Sequence, residues 1–208
     1  MYMKAIYRLE REGPGVSTSA LATELGVAPA SVSGMLKKLA SDGYVKHEVR
    51  GDIALTRKGL EVAVGVVRRN RLAERLLTDV LGMPWDEVYA EACILEHAIT
   101  ERVEERLVAA LGDPQTCPHG HPIPPKDLTE PVRAGVPLAQ VEPDTDVTVT
   151  GVTEQVPEIL RYLGQVGLRP GARLRVLDKA PLGGPITIDV AGTHHAISLE
   201  LARMVMIG

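Results

Sequence analysis

Phenylalanine is absent from the 208 residues, and there are one tryptophan and 5 tyrosines. A surface that grips single-stranded nucleic acid by stacking bases on aromatic rings is hard to build from so few. Cysteine is nearly absent too. Cys93 and Cys117 are the two present, so no disulfide framework is expected, and a reducing cytoplasm is the expected compartment. No run approaches 18 uncharged apolar residues, so neither a membrane-spanning helix nor a membrane partner is expected. The opening Met1-Tyr-Met-Lys-Ala-Ile-Tyr-Arg lacks a secretory-signal pattern. The glycines form no GxxxxGK[ST], GxGxxG or GxSxG, which leaves no nucleotide loop and no nucleophile elbow. With no nucleophile–base pair visible either, neither an enzyme nor a small-molecule substrate is expected. What remains is ordinary globular material, 45% hydrophobic and 24% charged, enough for two or three small domains.

The formal net charge of -4 hides an asymmetry. Residues 1–75 carry 13 Lys/Arg against 8 Asp/Glu, a net of +5. Residues 76–208 carry 10 against 19, a net of -9. A basic first third on an acidic remainder suggests that one module meets a polyanion, although chance clustering could give five charges.

The pattern along the chain predicts an α+β protein. A helix is expected over residues 2–11, broken by Gly13-Pro14-Gly15. A short helix follows, capped by Ser17 and closed by Gly26. Pro29 sits where a first helical turn tolerates it, and a third helix runs to about Ala40 and stops at Asp42-Gly43. Two short helices joined by a tight glycine turn are a helix-turn-helix signature. The alternating stretches 44–49 and 53–56 flank Arg50-Gly51-Asp52 and predict a hairpin, the wing. Residues 57–81 read as one long amphipathic helix. Gly82 ends it, and Pro84 is expected to open another running to about Leu111, the pair forming a dimer interface. Residues 117–143 hold seven prolines and are expected to be a largely irregular linker. Beyond residue 146, short alternating segments punctuated by glycine predict a small β-barrel with one short helix near 157–164. The expected division is a winged helix-turn-helix DNA-binding domain (1–64), a helical metal-binding and dimerisation domain (65–116), a linker (117–145) and a small β-barrel (146–208).

Two constellations could carry chemistry. The third helix presents Ala28, Pro29, Ala30, Ser31, Ser33 and Gly34, then Lys37 and Lys38. Small side chains let a helix sit deep in the major groove, while hydroxyls and ammonium groups reach phosphates. With Arg50 on the wing, this face predicts binding to double-stranded DNA; the alternative is a protein-binding winged helix with a solvated lysine pair. The second constellation is Cys93, Glu96 and His97 at i, i+3 and i+4. A thiolate, a carboxylate and an imidazole on one helix face can chelate a divalent transition metal. A core cysteine beside a surface Glu–His pair is the plainer explanation of the same spacing. Cys117-Pro-His119-Gly-His121 offers three more donors, but its spacing matches no zinc-finger template. His194 and His195 sit in an expected strand and should face opposite ways.

The order of these parts resembles the diphtheria toxin repressor and iron-dependent regulator family. The resemblance rests on residues 1–10, on Arg71-Leu-Ala-Glu-Arg-Leu-Leu-Thr-Asp, on Glu91-Ala-Cys-Ile-Leu-Glu-His-Ala and on Pro118-His-Gly-His-Pro-Ile-Pro124. It extends to Arg161-Tyr-Leu-Gly-Gln-Val-Gly-Leu-Arg-Pro-Gly171, which is similar to the SH3-like barrel of ferrous-iron transport protein A. It implies a metal-dependent transcriptional repressor that binds operator DNA as a homodimer. It also implies a regulatory site of Met1, Cys93, Glu96 and His97. Soft thioether and thiolate donors favour Fe²⁺, with Co²⁺, Ni²⁺ or Zn²⁺ as test-tube surrogates. Manganese-type members carry a carboxylate where Cys93 stands; a Mn²⁺-responsive repressor is the alternative, and a metal-independent protein-interaction module the rival from another class. Family members usually have residues before the first ligand, so an upstream start is one explanation of a ligand at Met1. The family's ancillary site maps onto Asn70, Glu74, Tyr89, Val156 and Ile159. Only Glu74 keeps a ligating residue, so that site is expected to be absent or weak, with about one metal per chain. The barrel is expected either to brace the dimer or to hold a proline-rich stretch of the linker.

Overall fold

The computed structural model describes residues 1–13, 15–47, 52–129, 135–153 and 156–208. It divides into two compact units, Met1–Arg69 with Pro124–Glu130, and Asn70–Ile123 with Pro131–Gly208.

The first unit begins with α1 (Tyr2–Glu12), α2 (Thr18–Leu25) and α3 (Pro29–Ser41). Local chemistry sets their ends. The Ser17 side chain accepts from Ala20 N–H at 3.0 Å, and Gly26 closes α2 in the left-handed region at φ 63°. Ala28 is extended, and Pro29 takes the first turn of α3, where its missing N–H costs nothing. The antiparallel strands β1 (Val45–His47) and β2 (Ile53–Leu55) form the wing, with Val45 opposite Leu55. The residues joining them, Arg50 among them, lie outside the described residues. Ile6, Leu21, Val32, Leu36 and Ile53 are buried to 1% exposure or less and make the core. Glu10 ties helix to wing by accepting Leu55 N–H at 2.8 Å. The start of α4 (Arg57–Arg75) lies so close to the wing that a Cβ on Gly59 would stand 1.9 Å from the Tyr44 carbonyl oxygen.

The second unit departs from the expected helices. Regular α-helix stops at Arg75, and Leu76–Val80 form a π turn, with Leu81 N–H reaching back five residues to Leu76 C=O at 3.1 Å. The helix expected from Pro84 to Leu111 is two helices, α5 (Val88–Leu95) and α6 (Glu101–Ala110). The break has a cause. Ala98 N–H bonds Leu95 C=O in a tight turn, and extended Thr100 accepts Val103 N–H on its side chain, starting a new helix. Ala73, Leu77, Val88, Ala92 and Ile99 form the small core these helices share.

The stretch expected as a largely irregular linker is partly built in. Cys117, His119, Ile123 and Leu138 are buried, and β3 (Val136–Pro137) joins the sheet. That sheet has six strands in the order β3-β8-β4-β5-β6-β7, every neighbouring pair antiparallel. The others are β4 (Thr145–Val152), β5 (Arg173–Lys179), β6 (Ile186–Val190), β7 (Thr193–Ile197) and β8 (Val205–Ile207). Register shifts at Val149/Gly151 and Val176/Asp178 bend it as bulges do, although no pairing of β3 with β7 closes it among the described residues. The short helix α7 (Pro157–Val166) fills its concave face with Leu160, Leu163 and Val166, and α8 (Leu199–Met204) precedes the last strand. Trp85 is buried in this same core.

Candidate metal centre and nucleic-acid face

The most closely assembled donor set among the described residues is Glu74, Cys117 and His119, whose ligand atoms all lie within 4.8 Å of one another. All three are 0% exposed. Glu74 comes from the last full turn of α4, and the other two from one tight loop. In that loop Cys117 N–H donates to His121 C=O and Gly120 N–H to Cys117 C=O, both at 2.9 Å. Two arginines of α4 hold it from below: Arg75 Nε donates to Thr116 C=O at 2.7 Å, and Arg71 donates to Pro122 C=O. Gly120 has φ 87°, and a Cβ there would meet the Thr150 carbonyl oxygen at 2.1 Å, so only glycine brings the loop against β4. Val152 N–H then donates to His119 C=O at 2.9 Å.

Hydrogen-bond partners orient the ring. His119 Nε2 lies 2.7 Å from the Trp85 carbonyl oxygen, which can only accept. Nε2 therefore carries a hydrogen, and the ring turns Nδ1 inward, 3.5 Å from Glu74 and 3.9 Å from Cys117 Sγ. Burial pushes the Cys117 thiol well above its ordinary value; the Glu74 carboxylate adds to this and the Arg71 guanidinium opposes it. Both Glu74 oxygens are buried without a hydrogen bond of normal geometry. A buried carboxylate left this way costs several kcal/mol unless a cation or donor meets it. One oxygen, one nitrogen and one sulfur donor fit a divalent transition metal.

The Cys93 constellation is arranged differently. Cys93 is in the last turn of α5, and Glu96 and His97 continue it as turn. Glu96 is 4% exposed and approaches the 70% exposed His97 at 3.8 Å. Cys93 does not join them in a set with all donor atoms within 4.8 Å. Its sulfur instead faces Asn70, whose Nδ2 lies 3.7 Å away. Asn70 and Glu74, expected as remnants of one site, thus serve different cysteines. Met1 precedes α1 in the first unit and is 78% exposed. The chemistry of a thiolate, a carboxylate and an imidazole here also fits a divalent metal.

On α3, Ala28, Pro29, Ala30, Ser31, Gly34, Lys37 and Lys38 are exposed, while Val32 and Leu36 face the core. Ser33 is half-buried and turns its hydroxyl back to Pro29 C=O at 3.0 Å. The outward face is small and basic, as a major-groove helix requires. Of the histidine pair in β7, His194 approaches Asp189 at 3.5 Å as a surface contact.

A winged helix with a basic recognition face and a helical unit carrying buried metal donors define the class: a metal-responsive DNA-binding regulator. Comparison with known proteins gives the family. Residues 1–53 match the family model for the iron dependent repressor N-terminal DNA-binding domain. Residues 56–125 match its metal binding and dimerisation domain, and residues 136–208 match the FeoA domain. The iron-dependent repressor IdeR of Mycobacterium tuberculosis is 38% identical over 231 residues, covering 100% of this chain and 95% of its own. The diphtheria toxin repressor of Corynebacterium glutamicum is 32% identical, covering 97% and 90%. A solved manganese-dependent transcriptional repressor in complex with manganese has a TM-score of 0.90 at 35% identity, covering 99% and 97%. The chain belongs to the iron-dependent repressor family and is a metal-dependent transcriptional repressor.

Cys117 and His119 match no metal-site template by their spacing in the sequence. Their third partner, Glu74, is far away in the chain, so no local spacing could reveal the set. The one available signal was a proline-fixed loop with Cys and His two residues apart.

Proposed function

We propose that this chain is an iron-type repressor that binds operator DNA as a homodimer, with two metal sites per chain. The regulatory site takes Met1, Cys93, Glu96 and His97. The second takes Glu74, Cys117 and His119. The observation that carries the two-site reading is the buried Glu74 carboxylate, without a hydrogen bond of normal geometry, beside an inward Nδ1 and a thiol. The thioether of Met1 and the thiolate of Cys93 favour Fe²⁺ over the harder Mn²⁺.

When bound, the ion supplies a positively charged cross-link between donors on separate elements. The protein's residues do the rest. Met1 offers its thioether from the start of α1, so that ligation at Cys93, Glu96 and His97 restrains the helix that leads into the winged helix. Val80, Leu81 and Ile94 of the helical unit are 61%, 62% and 70% exposed, apolar side chains that a second copy would cover. In a dimer, two restrained copies of α3 would meet two operator half-sites. Coupling is reciprocal, so DNA strengthens metal binding as metal strengthens DNA binding, commonly by about 1–3 kcal/mol.

Anaerobic Co²⁺ titration tests the site assignment. The expected result is about two ions per chain, with a thiolate-to-metal absorbance band that Cys93→Ser and Cys117→Ser each reduce. A wild-type protein without any thiolate band would overturn the proposal. The manganese reading is favoured by the likeness to a solved manganese-dependent repressor. Equal activation of DNA binding by Mn²⁺ and Fe²⁺ in the absence of oxygen would support it.

A further inference from the structure

We infer that Asn70 is a positioning residue for the Cys93 centre, its side-chain amide donating a hydrogen bond to the sulfur that holds the metal. The inference rests on the reading of Cys93 as a ligand and adds to it a residue that tunes the ligand.

The geometry is specific. Asn70 is 4% exposed, on the inner face of α4, and its Nδ2 lies 3.7 Å from Cys93 Sγ. That distance suits an N–H···S contact, which is longer than N–H···O because sulfur is larger. The amide's orientation follows from chemistry: a thiolate only accepts, so the NH₂ group faces it. Asn70 lies one helical turn before Glu74, so both side chains leave the same face of α4. The amide is engaged with Cys93, while Glu74 is engaged with Cys117 and His119.

Such a bond has two effects. It helps to fix the rotamer of a cysteine that is only half-buried. It also withdraws charge from a metal-bound thiolate, which lowers its donor strength and raises the energy of its charge-transfer transition. Hydrogen bonds to sulfur are a recognised way for a protein to tune a thiolate-ligated metal.

The test is anaerobic Co²⁺ titration of the full chain in a Cys117→Ser background, so that Cys93 is the only thiolate. Asn70→Leu, similar in volume and without a donor, should move the charge-transfer band to lower energy at unchanged stoichiometry. Its Co²⁺ affinity should fall about 10–100-fold in chelator competition, because the loss of sulfur positioning outweighs the gain in donor strength. Asn70→Gln keeps the amide and should return the band toward its wild-type position, which a purely space-filling role would not do. An unmoved band in Asn70→Leu would overturn the inference while leaving Cys93 a ligand. If Asn70→Leu does not fold, Asn70→Ser, a shorter donor, should give an intermediate shift, and its absence overturns the inference equally. A band that survives Cys93→Ser in this background would remove the ligand reading itself, and the inference with it.

Discussion

Glu74 is a carboxylate with 0% exposure and no hydrogen bond of normal geometry, a state that folds avoid unless something compensates it. At the scale of single residues this makes it the group whose replacement is most informative. Glu74→Gln should leave the metal-free protein as stable or more so, because a buried carboxylate without a hydrogen bond of normal geometry is replaced by a neutral amide. It should also abolish the part of the metal-dependent rise in melting temperature that Cys93→Ser leaves behind. A Glu74→Gln protein in the Cys93→Ser background that still gains stability from Co²⁺ would contradict the second site.

Cys117 adds a pH dependence. Burial and Glu74 keep its thiol protonated at neutral pH, so ligation there must release that proton. The sign is fixed: affinity at this site should rise with pH, by about tenfold per unit below the thiol's raised value. Co²⁺ affinities of Cys93→Ser across neutral pH would check the slope; a flat profile would mean that Cys117 is not a ligand. Each donor was visible in the sequence, Glu74 as an ancillary-site remnant and Cys117 and His119 as loop donors, but their meeting was not, because the site closes only when α4 brings Glu74 to a loop far along the chain.

At the scale of elements, the winged helix was legible nearly residue by residue. Its ends are set by local chemistry, namely the Ser17 cap, the left-handed Gly26 and Pro29 in a first turn. Ser17→Ala should therefore cost about 1 kcal/mol in urea unfolding, the usual worth of such a cap. A larger cost awaits Gly59→Ala, since the Tyr44 carbonyl oxygen stands where its Cβ would go. Wing and α4 would have to separate, at about 1–3 kcal/mol or more. The helix break at residues 96–100 was not legible. Its apolar spacing continues through it, and what decides is a threonine whose side chain caps the next turn. That break matters because Glu96 and His97 sit on the turn and not within a regular helix. Cys93, Glu96 and His97 accordingly do not bring all their donor atoms within 4.8 Å of one another. The same holds for the linker: composition marks proline-rich chain as irregular, yet says nothing of whether Cys117 and His119 are buried.

At the scale of the whole molecule, the charge asymmetry finds its place in the small, basic, exposed face of α3. Lys37→Ala and Lys38→Ala should each weaken DNA binding about equally on all sequences. Each should also lower the salt slope by about one if it contacts a phosphate. An unchanged slope would place that lysine off the backbone. Family membership was legible because motifs from all three parts of the chain occur in one order. The choice of ion was only partly so, since it depends on how a protein positions donors as well as on which donors it has.

The claim on which the account stands is that metal governs DNA binding through Cys93. The most direct measurement is anaerobic binding of the full chain to a duplex selected from random sequence in the presence of Fe²⁺. The account predicts tight binding that a chelator abolishes and Fe²⁺ restores, and a folded Cys93→Ser variant that Fe²⁺ does not activate. Binding that is indifferent to the chelator, or a Cys93→Ser variant that responds to Fe²⁺ like wild type, would contradict it.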